Sequence, residues 1–311
     1  MTAPASHEKR DWAPVPEALW QYLDRIFDAD WYRQANLDIK WRRQSPEDHF
    51  RRHGFDEGRS PSSIFDPEWY LRTCPTGVPT TLRPLEHWLL SPPSEQGDPN
   101  PLFDTRWFTF GDFRDGHPLL MYLDNPELDP SPLFDTSWFL AENRGNAHRS
   151  PLETYLRSAP ERDRSPCPLF DPIAYRRARP DAVRPLEDYI ASGGFRGVSP
   201  SDDFDADAYV EQSPWVAIGD EAPLLHFAKH GVLERTAWTP LGTRVLIQDL
   251  LDRDTPQAAL FVLRRLREAE AGLRHGGMPA RVSSRITAPD SATCIASTGA
   301  VVCPSTSELT L

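Results

Sequence analysis

Apolar residues recur along this chain in short, regularly spaced bursts. A phenylalanine, an aspartate and, four residues after the aspartate, a second aromatic are written six times: FDADWY at Phe27, FDPEWY at Phe65, FDTRWF at Phe103, FDTSWF at Phe134, FDPIAY at Phe170 and FDADAY at Phe204. The intervals are 38, 38, 31, 36 and 34 residues, which is the period of a helical repeat. Each copy predicts a helix start. With Asp28, Asp66, Asp104, Asp135, Asp171 and Asp205 as N-caps, each carboxylate accepts a bond from an otherwise open N–H at N2 or N3, and its charge meets the positive end of the helix dipole. Pro67 and Pro172 then fall at N1, where a missing N–H costs nothing. The phenylalanine falls at N′ and the second aromatic at N4, the two positions of a hydrophobic staple.

A second phrase follows each copy: SPEDHF from Ser45, RPLEHW from Arg83, HPLLMY from His117, SPLETY from Ser150, RPLEDY from Arg184 and APLLHF from Ala222. Proline again sits at N1, and Ser150 with Glu153 reads as a capping box. Leu152, Tyr155 and Leu156 are spaced i, i+3, i+4 and make one helical stripe. Gly54, Gly193 and Gly231 stand where a left-handed C′ residue ends such helices. The predicted unit is thus a pair of helices of ~8–12 residues, too short to be stable alone in water, so its aromatic faces must be buried against neighbouring units.

The expected fold is all-α: a solenoid-like array of about six helix-pair repeats over residues 27–235, with a capping helix at 14–26 and a helical segment at 236–277. Within the latter, Thr255 and Pro256 read as the N-cap and N1 of a last helix stopping near Gly276. Residues 1–13 and the Pro/Ser/Thr/Gly-rich tail 278–311 are expected to be disordered. Trp31, Trp69, Trp107 and Trp138 recur at one helical phase and are expected mostly in the core.

Composition narrows the function. Apolar residues make up 39%, and 32 prolines punctuate the chain often, about twice the usual ~5%. Three lysines against 31 arginines reflect genome composition rather than a binding signal. A net charge of −12 repels phosphate backbones and anionic membrane surfaces, which argues against nucleic acid as a partner. No stretch approaches the ~20 apolar residues of a membrane span, and the start MTAPASHEKRDW has no apolar signal region, so no direct membrane insertion and a cytoplasmic address are expected. Cys74, Cys167, Cys294 and Cys303 are scattered and read as free thiols.

The pattern F-D-x-x-W-Y-L, then P-L-x-H-Y-L-x-x-G-x-x-E-G-R, then N-P-L-F-D resembles a repeat module found in bacterial proteins of surface-polysaccharide synthesis. There it lies beside glycosyltransferase or rhamnan-synthesis-type domains, and a similar phrase occurs in some large calcium-binding secreted proteins. HFRRHGFDEGRSPSSIFDPEWYL, from His49 to Leu71, matches best, and DPNPLFDTRWF is a second good match. The resemblance covers residues 27–235 and implies a helical module and a biological neighbourhood. It carries no catalytic residue and no cofactor to transfer.

Two constellations invite a catalytic reading. Asp28–Asp30 and Asp205–Asp207 spell the D-x-D with which many glycosyltransferases hold a metal and a nucleotide sugar. The second acid is replaced by Glu68, Arg106, Ser137 and Ile173 elsewhere, which fits first-turn capping better. His49/His53 and His226/His230 stand at i, i+4, the spacing of a zinc-protease helix, but without its glutamate; His49, His87 and His226 share one slot of the repeat, which points to packing and hydrogen bonding. No nucleophile elbow or phosphate loop accompanies a strand. The expectation is a non-catalytic interaction module serving surface-polysaccharide synthesis or a glycosyltransferase system, with a protein or an extended glycan as partner and no metal or cofactor. The first alternative is a lanthipeptide-like precursor in which the repeats are the leader, Gly276–Gly277 the cleavage step and Cys294 and Cys303 thioether donors in the tail. The second is a glycosyltransferase-type enzyme.

Overall fold

The computed structural model describes residues 15–40, 44–109, 117–143, 150–158, 164–192, 197–217, 221–231, 240–253 and 258–266. Both chain ends expected to be disordered, the tail cysteines Cys294 and Cys303, Gly193 and the Gly276–Gly277 step lie outside these residues. Among the described residues the structure is helical, with no strand beyond the isolated bridges Asn100–Phe103 and Ser201–Phe204. Helix α1 (Glu17–Ile26) precedes the repeats. Units 1 to 6 each contribute two helices: α2 (Ala29–Ala35) and α3 (Pro46–His49); α4 (Pro67–Thr73) and α5 (Pro84–Leu90); α6 (Thr105–Thr109) and α7 (Pro118–Asp124); α8 (Thr136–Glu142) and α9 (Pro151–Arg157); α10 (Pro172–Ala178) and α11 (Pro185–Ala191); α12 (Ala206–Gln212) and α13 (Pro223–His226). Helix α14 (Pro240–Asp252) and a helix over 258–266, α15, follow.

Every first helix starts on its aspartate. The carboxylates of Asp28, Asp104, Asp135 and Asp205 accept from the N–H three residues on at 2.8–2.9 Å. Asp66 and Asp171 each accept from two N–H groups at 2.8–3.2 Å. The staple closes in all six units, with the two ring centroids 5.0–5.6 Å apart. A third ring from the second helix, Phe50, Trp88, Tyr122, Tyr155, Tyr189 or Phe227, stands 5.3–6.1 Å from the phenylalanine. Each unit therefore carries a three-ring core, and most of these rings are almost fully buried. The tryptophans divide: Trp69 and Trp107 are buried, whereas Trp31 and Trp138 are only half-buried. They occupy N3, at the rim of the apolar stripe, where burial depends on a covering group such as Arg72 over Trp69 or Arg265 over Trp107.

Two local features depart from expectation. In units 1 and 6 the second helix widens into a π-turn, Phe50–Gly54 and Phe227–Gly231. Gly54 lies inside that turn and is not a left-handed terminator; the positive φ of this segment is at Gly58, 69°. What Gly54 supplies is room, because a Cβ there would stand 2.2 Å from the Tyr32 hydroxyl. The capping box also moves: Ser150 Oγ accepts from Glu153 N–H at 3.2 Å, and the reciprocal carboxylate-to-backbone half occurs in unit 2, where Glu86 accepts from Arg83 N–H at 3.4 Å and from its guanidinium at 2.7 Å.

Neighbouring units are stitched through the same aspartates. The backbone N–H groups of Asp28, Asp66, Asp104, Asp135 and Asp171 donate to the carbonyls of Pro61, Pro99, Pro130, Pro166 and Pro200 at 2.7–3.1 Å. Each of these prolines stands five residues before the next unit's aspartate. Units three apart in the chain also meet. Asp28 of unit 1 pairs with Arg157 of unit 4, Asp104 of unit 3 with Lys229 of unit 6 at 2.6 Å, and Asp135 of unit 4 with Arg264 of α15. Arg25 of α1 reaches Asp124 of unit 3 at 2.5 Å. In an array where each unit touches only its neighbours such pairs do not form; here the chain comes back on itself every three units.

Candidate functional site

The histidines offered for metal chemistry are bound to tyrosines. Tyr32, Tyr70 and Tyr209 place their hydroxyls 3.1, 2.7 and 2.8 Å from Nδ1 of His49, His87 and His226, each seventeen residues further on. Burial lowers the pKa of His49 and His87, which favours the neutral rings, and each shares one hydrogen bond with its phenol through Nδ1. In His87 the other nitrogen, Nε2, hydrogen-bonds Ser91 Oγ at 3.2 Å. Burial pushes the Tyr32 phenol up to about 12. The slot follows its partner through the array. In unit 5 it holds Asp188, which accepts from the Tyr175 hydroxyl at 2.8 Å. In units 3 and 4, where the aromatic is Phe108 or Phe139, it holds Met121 or Thr154, and the Thr154 hydroxyl turns back to the Ser150 carbonyl. A buried phenol requires a partner and a phenyl ring does not. His53 and His230, the other halves of the i, i+4 pairs, are exposed.

The D-x-D acids separate in the same way. Asp28 and Asp205 cap their helices, while Asp30 and Asp207 point to solvent. Among the described residues no group of three or more His, Cys, Asp and Glu is placed to hold a metal ion. Cys74 and Cys167 are buried and free, and burial pushes the Cys167 thiol up to about 12.

A cavity of about 450 Å³ lies where units 2 and 3 meet units 5 and 6. One wall is α4 with the loop entering unit 3, and another is α11 with α13 of unit 6 and the residues on either side of it. Phe103, Ile190 and Leu225 make its apolar lining. Its charged groups are Arg72, Asp98, Asp104, Glu221 and Lys229, with Thr73 and Ser131 beside them. Lys229 Nζ bridges Asp104 at 2.6 Å and Glu221 at 2.8 Å. Burial alone would lower its pKa, but these two carboxylates outweigh that and hold it charged. Asp98 Oδ1 accepts from Thr105 N–H at 2.8 Å, and burial together with neighbouring Asp104 pushes its carboxyl up to about 7.

Sequence reasoning found the caps and the shared histidine slot, and missed three signals that were present. The proline five residues before each aspartate marks the stitch to the preceding unit. Asp98, Asp129 and Ser199, seven residues before N1, cap the N1 amides of Thr105, Thr136 and Ala206; where N1 is Pro67 or Pro172 there is no amide to cap. The seventh position of the second helix is Arg157 in unit 4 and Lys229 in unit 6, the cations that reach back three units.

Fold and side-chain placement together define an all-α helix-pair repeat protein whose recurrent polar residues join helices and units. Against known proteins the chain matches no family model, no curated protein and no solved structure. The resemblance to a polysaccharide-synthesis repeat therefore rests on its motifs alone. Among the described residues no helix is long and apolar enough to cross a membrane.

Proposed function

We propose that the chain is a non-catalytic helical-repeat interaction module that serves surface-polysaccharide synthesis, working beside a glycosyltransferase and binding a protein partner or an extended glycan. The observation that carries this reading is where the recurrent acids and histidines spend their polar atoms: on helix N–H groups, on buried phenols and on the unit three further along. Side chains so engaged support a framework, and a run of similar units offers a long repeated surface to a partner. The biological neighbourhood comes from the motif resemblance.

The test is purification from the native host with intact-mass analysis and a tryptic map of everything that co-purifies. An unmodified full-length chain accompanied by a glycosyltransferase or a polysaccharide exporter, and inert towards nucleotide sugars on its own, is the expected result. A tail cleaved after Gly277 and dehydrated, with Cys294 and Cys303 in thioether links, would overturn the reading in favour of a modified-peptide precursor. Turnover of a nucleotide sugar by the isolated chain would make it an enzyme.

A further inference from the structure

We propose that the place where Asp66 of unit 2 faces Ala191 of unit 5 is a binding site for an organic cation, a guanidinium or ammonium group on an unbranched alkyl stem. Units 1 to 4 each have a helix pair three units further on, the last of these being α14 with α15. In units 1, 3 and 4 the two oxygens of the cap aspartate do different things. Oδ1 of Asp28, Asp104 and Asp135 caps its helix, while Oδ2 takes a cation from the returning chain, Arg157, Lys229 or Arg264. In unit 2 Oδ1 of Asp66 caps α4, accepting from Glu68 and Trp69 N–H at 2.9 and 3.0 Å. Among the described residues no cation meets its Oδ2. The residue of unit 5 in register with Arg157 and Lys229 is Ala191, exposed at the last position of α11.

Unit 5 brings a like charge where units 4 and 6 bring a cation. Glu187 stands one turn before Ala191 on α11 and feels the Asp66 carboxylate: burial raises its pKa, Arg184 opposes the rise and Asp66 adds to it. A bound cation relieves that repulsion. Arg184 divides its guanidinium between Glu187 at 3.3 Å and the Leu156 carbonyl at 2.9 Å. Both acids are within reach of solvent: Asp66 is half-buried, and Glu187 keeps 21% of its side chain exposed. Ala191 itself lines the cavity of about 450 Å³, where Phe103, Ile190 and Leu225 offer an alkyl stem an apolar bed. Two cations share that lining. Lys229 is held by Asp104 and Glu221, and the Arg72 guanidinium lies over the Trp69 ring, 4.8 Å from its centroid. Asp98, Asp104 and Glu221 outnumber them, and Asp66 and Glu187 on helices α4 and α11 add to the excess of acid. This inference stands on the register of the repeats and not on the module reading, so each survives failure of the other.

The experiment is saturation-transfer NMR and calorimetric titration of the full chain with butylguanidinium, agmatine and a blocked arginine peptide. Butylurea, of the same shape without the charge, and succinate, which would be drawn to Arg72, are the controls. Binding of a cationic probe, weakened about tenfold or more in Asp66→Asn and in Ala191→Arg, is expected from the loss of one charged hydrogen bond. Asp66→Asn keeps an oxygen for the α4 cap, and Ala191→Arg supplies the cation from within, so the second variant should melt at or above the parent. Loss of binding in a variant that melts higher separates a ligand site from damage to the fold. Binding of the peptide at least as tight as that of butylguanidinium assigns the cation to a basic side chain of a partner protein; binding of agmatine with the peptide excluded assigns it to a free amine. No cationic probe bound, equal binding of butylurea, preference for succinate, or indifference to both variants would each overturn the proposal.

Discussion

One tyrosine hydroxyl sets the identity of a residue in the following helix in four of the six units, seventeen positions away in three and thirteen in the fourth. Tyr32, Tyr70 and Tyr209 face histidine and Tyr175 faces aspartate thirteen residues on, while Phe108 and Phe139 stand with methionine and threonine in the equivalent slot. The physical requirement is satisfaction of a buried phenol, which the array meets four times with two kinds of partner and drops in the two units where the ring is phenylalanine. Tyr70→Phe should therefore cost about 1–3 kcal/mol by stranding Nδ1 of His87. His87→Met should cost a similar amount by stranding the phenol. The double variant reproduces the Phe–Met pairing of unit 3 and should recover part of the loss, with a coupling of about 0.5–3 kcal/mol in urea unfolding. Strictly additive losses would show that the bond is incidental to packing.

At the scale of the helix, the entry turn concentrates several constraints on one residue. The aspartate carboxylate caps its own helix, its backbone N–H holds the next unit's proline carbonyl, and its two flanking rings close the staple. Helices of seven residues cannot persist without such ends and without the rings they bring together. Asp66→Ala should lower stability by about 0.5–2 kcal/mol, measured by thermal or denaturant unfolding. Asp66→Asn should lose much less, since its amide oxygen still accepts from Glu68 and Trp69 N–H. Removing the charge also relieves the Asp66–Glu187 repulsion, which with burial as the larger cause raises the Glu187 pKa. Equal losses in the two variants would mean that charge and not the cap bond is what matters. The π-turns belong to this scale as well: HFRRHG and HFAKHG both widen at the same place, and in unit 1 the extra residue lets Gly54 sit against the Tyr32 hydroxyl.

Across the whole run of units, the contacts between units three apart alter what cooperativity to expect. A chain of nearest-neighbour interfaces loses its last unit at little cost to the rest. Lys229 instead ties unit 6 to Asp104 of unit 3, and Arg264 ties α15 to Asp135 of unit 4. Lys229→Met leaves Asp104 and Glu221 facing each other without a cation and should cost about 1.5–3 kcal/mol. The distinguishing readout is hydrogen exchange: α6 in unit 3 should lose protection together with α12 and α13 in unit 6. Loss confined to unit 6 would show that the units three apart are not energetically linked. The cavity owes its existence to the same return of the chain, because no single unit supplies two of its walls.

The amino-acid sequence by itself determined the helices, their starts and the rings each unit buries, because caps, prolines at N1 and i, i+3, i+4 spacing act within one turn of backbone. It also marked the histidine slot, since a repeat displays equivalent positions side by side. Tertiary structure alone decided which carboxylate meets which cation. Asp28, Asp66 and Asp104 look alike in sequence, yet the unit three further on offers Arg157, Ala191 and Lys229 at the facing position, so the first and third are paired and the second is not. The same holds for Trp69 and Trp31, identical in phase and different in burial. Local patterns encode what a helix needs from its own residues; the partner that a side chain meets a hundred residues away depends on how far the chain turns between units, a sum of many small angles that no single motif records.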